Sequence, residues 1–156
     1  MTSHRVRLLS AVHLFLLRDD KVLLLRRLNT GYEDGNYSVV AGHLDGGEEV
    51  VTAAIREARE EAGIVLAPGD MQVVGVMHRN AEQERVDFFV VSRSWSGNIV
   101  NVEPDKCDDL AWFDLDHLPA NTVTYVRRAL ELVKAGLSRP RGDGIWFDSF
   151  GWGNDS

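Results

Sequence analysis

Residues 42–64 read GHLDGGEEVVTAAIREAREEAGI, and in this stretch a glycine-rich loop gives way to a helical pattern. After Gly46 and Gly47, apolar residues recur every three or four positions, and Gly63 supplies a stop signal. The pattern predicts an amphipathic helix of about four turns. Its apolar positions are Val50, Val51, Ala54, Ile55, Ala58 and Ala62.

The same predicted helix carries three glutamates on one edge. Glu57 precedes Glu60 and Glu61 by three and four positions, and residues at these spacings are neighbours on a helix surface. Like charges at such spacings cost about 0.2–0.5 kcal/mol per pair, so the cluster does not stabilise the helix. A divalent cation would reverse the sign of this interaction, and oxygen ligands suit Mg²⁺ or Mn²⁺. A solvated acidic face paired with Arg56 and Arg59 is the alternative that the helix alone leaves open.

Apolar runs on both sides of this helix predict strands. The first two runs flank a short polar break, which is typical of a hairpin. Strands are predicted at 8–17, 21–25, 37–41, 71–77, 86–91 and 110–113, and a second helix at about 121–135. This mixture of strands and helices predicts a layered α+β domain.

The length of 156 residues suits one compact domain, which we expect over residues 1–138. Residues 139–156 form a tail rich in glycine and aromatic residues. The tail places Trp146, Phe147, Phe150 and Trp152 within seven positions. Because such an apolar cluster is unfavourable in water, we expect the tail to dock on the domain or on the second subunit of a homodimer.

The composition excludes several classes of protein. Hydrophobic residues at 44% and charged residues at 26% exclude wholesale disorder. A net charge of −7 offers no basic surface to DNA, RNA or anionic lipid. The apolar run near the N-terminus is shorter than the roughly 20 residues that a membrane span needs, so we expect no membrane partner. One cysteine excludes a disulfide framework and favours a reducing compartment, so we expect the cytoplasm.

The box from Gly42 to Ile64 resembles the signature of the Nudix (MutT-type) hydrolases. That signature is Gly, five residues, Glu, seven residues, Arg-Glu, an apolar residue, any residue, Glu-Glu, any residue, Gly and an apolar residue. Every slot is filled, by Gly42, Glu48, Arg56, Glu57, Ala58, Glu60, Glu61, Gly63 and Ile64. The resemblance implies an α/β/α sandwich with a mixed sheet between helices. It also implies Mg²⁺-dependent hydrolysis, by water, of a nucleoside diphosphate linked to another moiety.

The resemblance also implies roles for the residues of the box. It makes metal ligands of the carboxylates of Glu57, Glu60 and Glu61 and of the carbonyl of Gly42. Arg56 would orient a glutamate, and either Glu57 or Glu60 would take the proton from the attacking water. The sequence leaves the choice between these two bases open.

Further candidates lie outside the helix of the box. In family members that cleave nucleoside triphosphates, a carboxylate before the final helix often joins the metal site, and Glu103 is our candidate, with Asp108 in reserve. We expect substrate contacts from four more residues. Arginine side chains there would clamp phosphate oxygens and an aromatic ring would stack on a base, although for at least one arginine solvation is the alternative. The four are Arg26, Arg27, Tyr37 and His43.

The expected reaction converts a nucleoside triphosphate into the monophosphate and pyrophosphate, as a housecleaning step for damaged or non-standard nucleotides. A dinucleoside polyphosphate, ADP-ribose or another nucleotide sugar, and the 5′-triphosphate end of RNA are alternatives of the same class. A catalytically silent nucleotide-binding sensor is the alternative from another class. Such a sensor is expected to lack carboxylates of the box, and all of them are present here.

Overall fold

Strand β1 (Leu9–Arg18) is shared by both sheets of the computed structural model, which describes residues 4–137 and 144–153. Residues 11–17 are all buried, as the unbroken apolar run predicts for a strand covered on both faces. Residues 9–16 of β1 pair in parallel with β6 (Glu84–Ser92), and residues 11–14 pair antiparallel with β4 (Val40–His43). Its last two residues turn into an antiparallel pairing with β2 (Lys21–Arg27).

The two sheets extend in opposite directions from β1. The first has the order β4-β1-β6-β5-β8, with β5 at Met71–Asn80 and β8 at Trp146–Phe150. In the second, β2 lies between β3 (Tyr37–Ser38) and β7 (Cys107–Asp114) and is antiparallel to both. β8 runs parallel to β5, so the larger sheet is mixed.

Two helices cover opposite faces of β1. The side chains of β1 alternate between them: Val12, Leu14 and Leu16 belong to the cluster of α1 (Val50–Ala62), and Phe15 and Leu17 belong to the cluster of α2 (Thr124–Leu137). The α1 cluster includes the four alanines Ala53, Ala54, Ala58 and Ala62. This arrangement confirms the predicted α/β/α sandwich.

Helix α1 begins and ends as the sequence pattern predicts. It has 13 residues, and Gly63 follows in the left-handed conformation with φ 68°. At this helix end the Gly63 N–H donates to the carbonyl of Arg59 at 3.1 Å, and the Ile64 N–H donates to the carbonyl of Ala58 at 3.5 Å. Left-handed backbone favours glycine, so the last glycine of the box fixes the helix end.

Several element boundaries differ from the prediction. β5 and β6 continue beyond the apolar runs into charged residues, because the two strands pair with each other as far as Arg79 with Arg85 and Asn80 with Glu84. The strand predicted at 37–41 is divided into β3 and β4, which pair with different strands. Helix α2 begins at Thr124, because Thr122 uses its hydroxyl in a turn to the carbonyl of Pro119.

Part of the tail predicted at 139–156, namely residues 139–143 and 154–156, lies outside the described residues. In the described part, Trp146 and Phe150 of β8 pack against the α2 cluster, whereas Phe147 is 78% exposed. The Trp146 ring lies against Gly75, where a Cβ atom would be only 2.0 Å from it. Within residues 4–137 and 144–153, no helix has the length and apolar character that crossing a membrane requires.

The substitution Gly63→Ala tests the helix end. We expect it to lower the free energy of unfolding by about 1–2 kcal/mol, because alanine is strained in left-handed backbone and its Cβ would lie 2.8 Å from a methyl group of Val100. Gly69→Ala is the matched control, since a Cβ there meets no atom within 4 Å. Urea unfolding measures both variants, and equal stabilities would contradict this account of the helix end.

Candidate metal and substrate site

A cavity of about 610 Å³ contains Glu57, Glu60 and Glu61, the three glutamates that the box places on one edge of α1. Its lining comes from both helices, from six strands (β1, β2, β4, β5, β6 and β7) and from three loops. Its acidic wall consists of Gly42, Glu57, Glu60, Glu61 and Glu103. A second cavity, of about 520 Å³ beside Trp112, contains none of these residues.

Gly42 allows α1 to approach β4 closely at the acidic wall. A Cβ atom on Gly42 would lie 1.9 Å from Oε1 of Glu57, which no side chain tolerates. The absence of a side chain at residue 42 therefore lets the Glu57 carboxylate lie directly against the β4 backbone. This contact brings Glu57 next to the residue whose carbonyl is the predicted metal ligand.

Arg56 connects the glutamates with the loop before α1. Its Nε and Nη2 lie 2.9 and 3.0 Å from the two carboxylate oxygens of Glu48. Its Nη1 lies 2.7 Å from Glu57 and 3.3 Å from Glu60, and its Nη2 donates to the carbonyl of His43 at 3.1 Å. The hydrogen bonds from Arg56 lower the pKa of Glu48 to about 2. Arg56 thus orients two glutamates of the acidic wall, and Glu48 anchors the guanidinium.

Glu57 and Glu61 are the less exposed carboxylates of α1 in the acidic wall, and they repel each other. Burial, together with the charges of Glu57 and Glu103, raises the pKa of Glu61 to about 8, although the Ala41 N–H donates to its Oε2 at 3.2 Å. Burial also raises the pKa of Glu57, and Arg56 opposes that shift. A cation placed here would relieve the repulsion. The all-oxygen donors fit a hard divalent ion such as Mg²⁺ or Mn²⁺.

The donors line a wall and do not enclose one point. Within residues 4–137 and 144–153, no three acidic, histidine or cysteine side chains converge closely enough to hold a metal ion by themselves. One oxygen of Glu57 contacts Arg56, and one of Glu61 accepts the Ala41 amide. Such a wall suits an ion that keeps waters and substrate oxygens among its ligands, as Mg²⁺ does at phosphate-processing sites.

The structure brings two of the four expected substrate contacts to the cavity. Arg27 and His43 line it, and Arg27 donates to the Tyr32 carbonyl at 2.6 Å and to the Thr30 hydroxyl at 3.0 Å. Arg27 therefore also fixes the loop between β2 and β3. Glu103 lines the cavity too, whereas Asp108 does not.

The other two expected substrate contacts, Arg26 and Tyr37, lie outside the cavity lining. Successive residues of a strand face opposite sides, so Arg26 points away from the side of Arg27 and pairs with Asp108 at 2.7 Å. Tyr37 is buried in the α2 cluster, where its hydroxyl donates to Asp109 and its ring contacts Phe113. The structure thus gives Tyr37 a packing role and Arg26 an ion pair.

Our sequence reasoning missed a second group of cavity residues. These residues form the basic wall: His13, Arg79 and Arg85 line the cavity, and Asp87 lies behind them. Nε2 of His13 lies 3.1 Å from Oδ1 of Asp87, and Arg79 donates from Nε to Oδ2 of Asp87 at 2.7 Å. The available signal was His13 and Asp87, which stand inside the apolar runs predicted as strands, whereas Arg79 and Arg85 lie in the polar stretch between two of these runs.

Comparisons with known proteins agree with the resemblance of the box. A family model described as NUDIX domain matches residues 7–133. Among curated proteins, the NAD-capped RNA hydrolase NudC of Pseudomonas aeruginosa is 34% identical over 72% of this chain and 38% of its own length. The ADP-ribose pyrophosphatase of Methanocaldococcus jannaschii is 30% identical over 70% of this chain and 63% of its own length. The chain thus spans half or less of the NudC relatives that it matches.

One solved structure resembles this fold over nearly the whole length of the solved chain. The MutT NUDIX hydrolase from Burkholderia pseudomallei superposes with a TM-score of 0.75 at 30% sequence identity. The match covers 82% of this chain and 99% of that chain.

The substitution Glu61→Gln tests the acidic wall as a metal site. We expect saturating Mg²⁺ to stabilise the wild-type protein by about 2–3 kcal/mol at a concentration near 100 times its Kd, because the ion binds only the folded state. Glu61→Gln removes one charged ligand, so we expect Mg²⁺ to stabilise this variant much less than it stabilises the wild-type protein. Thermal unfolding in Mg²⁺ and in EDTA measures both. Glu131→Gln, on the exposed face of α2, is the matched control and keeps the full gain. An undiminished gain in Glu61→Gln would contradict the assignment.

Proposed function

Because the chain belongs to the NUDIX family, we propose that it is a divalent-metal-dependent pyrophosphohydrolase acting on a nucleoside diphosphate linked to another moiety. The observation that supports the proposal most is the acidic wall: carboxylates of α1 and Glu103 line one cavity with Gly42, and Glu57 lies directly against Gly42. Mg²⁺ is the proposed ion and Mn²⁺ a substitute for it. The single cysteine favours the cytoplasm as the proposed location.

The residues of the acidic wall have different roles in the proposed reaction. Gly42, Glu57, Glu60, Glu61 and Glu103 would hold the ion. When bound, a divalent cation neutralises charge on phosphoryl oxygens and lowers the pKa of water. Arg56 holds Glu57 and Glu60 in position, and one of these two carboxylates accepts the proton of the attacking water.

Other cavity residues would position the substrate. Arg27 lies at the edge of the cavity with its guanidinium held by the loop between β2 and β3, so it presents a fixed cation to phosphate oxygens. His43 ends β4 beside Gly42 and also lines the cavity. Both residues thus lie next to the place where the phosphate chain would meet the glutamates.

A nucleoside triphosphate is the proposed substrate, cleaved to the monophosphate and pyrophosphate in nucleotide-pool housecleaning. The position of Glu103 in the cavity supports this choice, because the resemblance places such a carboxylate in family members that cleave nucleoside triphosphates. A dinucleotide or ADP-ribose is the second candidate. Relatives named NAD-capped RNA hydrolase and ADP-ribose pyrophosphatase favour it, although this chain spans only part of each.

The substitution Glu57→Gln tests whether the acidic wall performs the chemistry. We expect kcat with Mg²⁺ and a nucleoside triphosphate to fall at least about 100-fold, because the variant loses a metal ligand and a candidate base. Glu131→Gln is the matched control and keeps wild-type turnover. A Glu57→Gln enzyme with wild-type turnover would exclude the proposed site. A wild-type protein that binds nucleotides but hydrolyses none would favour the sensor.

Product analysis tests the substrate class. With a nucleoside triphosphate and Mg²⁺ we expect equal amounts of monophosphate and pyrophosphate, measured by ion-exchange chromatography and ³¹P NMR. Orthophosphate as the sole inorganic product would contradict the triphosphate proposal. Faster turnover of ADP-ribose or NAD than of every triphosphate tested would favour the second candidate.

A further inference from the structure

The basic wall contains two arginines side by side. Arg79 of β5 and Arg85 of β6 are register partners, so both side chains leave the same face of the sheet, and both line the cavity. Like charges directly opposite on neighbouring strands destabilise a sheet. A negative charge next to Arg79 and Arg85 would therefore reduce the repulsion between them.

Asp87 is the carboxylate of the basic wall, and its two oxygens are taken. It is fully buried and lies two positions beyond Arg85 on the same face of β6. One oxygen accepts from Nε of Arg79 at 2.7 Å, and the other lies 3.1 Å from Nε2 of His13. Burial opposes ionisation, yet His13 and Arg79 hold the pKa of Asp87 below its usual range. Asp87 thus compensates Arg79, whereas no carboxylate among residues 4–137 and 144–153 forms an ion pair with Arg85.

Two buried nitrogen atoms of the basic wall lack hydrogen-bond partners among residues 4–137 and 144–153. They are Nε of Arg85 and Nδ1 of His13, whose residue is only 3% exposed. A buried polar group without a partner is unfavourable, and a buried unbalanced cation more so. Because both residues line the cavity, an anion that enters it lies close to these two side chains.

The Arg79 guanidinium is already fixed before any ligand binds. Its Cζ lies 3.7 Å from the ring centroid of Tyr125, and its Nε is held by Asp87. A guanidinium immobilised on two sides loses little further freedom when it binds an anion, and its planar fork matches phosphate oxygens. The basic wall therefore has the preorganisation of an anion site.

We propose that Arg85, Arg79 and His13 form a subsite for a phosphoryl group of the substrate, separate from the phosphates held at the acidic wall. Its identification as a substrate subsite rests on the proposed hydrolase function, whereas the anion binding itself needs no metal. A substrate that contacts both walls carries more phosphate than the hydrolysed bridge alone. The subsite thus favours nucleotides with three or more phosphates over ADP-ribose and other nucleotide sugars.

Calorimetric titration of the full chain with inorganic pyrophosphate in EDTA tests the subsite directly. Without metal the glutamates repel pyrophosphate, and Arg27 is the same in every variant compared, so a loss of binding in the Arg85 variants reports the basic wall. We expect Arg85→Gln to weaken binding about tenfold or more, and Arg85→Lys to weaken it severalfold because lysine keeps the charge but loses the fork. Arg93→Gln, an exposed arginine outside the cavity lining, is the charge-matched control and binds as the wild type does.

Three results would overturn the proposal. The first is wild-type affinity in a folded Arg85→Gln protein; where that variant fails to unfold cooperatively, wild-type affinity in Arg85→Lys takes its place. The second is the same loss in Arg93→Gln. The third is competition by acetate as strong as that by inorganic phosphate, since it would show a general anion site and not a phosphoryl site.

Steady-state kinetics separates this subsite from the hydrolase proposal. With Mg²⁺ and a nucleoside triphosphate, Arg85→Gln is expected to raise KM about tenfold and to leave kcat within about twofold. The ratio of kcat/KM for the triphosphate to kcat/KM for ADP-ribose is therefore expected to fall. If Glu57→Gln abolishes turnover while Arg85→Gln changes neither KM nor pyrophosphate binding, the subsite is wrong and the hydrolase stands. If no nucleotide is hydrolysed but pyrophosphate binding depends on Arg85, the anion site is supported and the hydrolase proposal is wrong.

Discussion

The close contact between Gly42 and Glu57 is the constraint on which the site depends. The Glu57 carboxylate occupies the space that any side chain at residue 42 would fill. This contact fixes the distance of α1 from β4, and the glutamates of one helix edge consequently face a strand backbone at the cavity. Arg56 completes the arrangement, since it contacts Glu48, Glu57 and the carbonyl of His43 at once.

The cavity combines two electrostatic walls of opposite sign on different elements. The acidic wall comes mainly from α1 and β4, and the basic wall from β1, β5 and β6. Each wall is unfavourable by itself, because burial leaves its like charges without full compensation. A metal-bound polyphosphate would compensate both, since it brings a cation to the glutamates and oxyanions to the arginines.

The sequence predicted the parts of the fold that depend on local pattern. The 3.6-residue period and Gly63 indicated α1, and apolar runs indicated most strands, because burial and helix ends leave local signals. β8 had no such signal, since its pairing with β5 depends on Trp146 lying over Gly75. The box likewise indicated the acidic wall. The basic wall was missed because His13, Arg79 and Asp87 meet only through the register of three strands.

The location of a bound metal tests the central claim most directly. A crystal of the protein soaked with Mn²⁺ and a non-hydrolysable nucleotide would show the ion by its anomalous scattering. The account predicts a peak at the acidic wall, about 2.1 Å from a carboxylate oxygen of Glu57 or Glu61 and from a phosphate oxygen. An ion and a nucleotide bound elsewhere, with those glutamates merely hydrated, would contradict it.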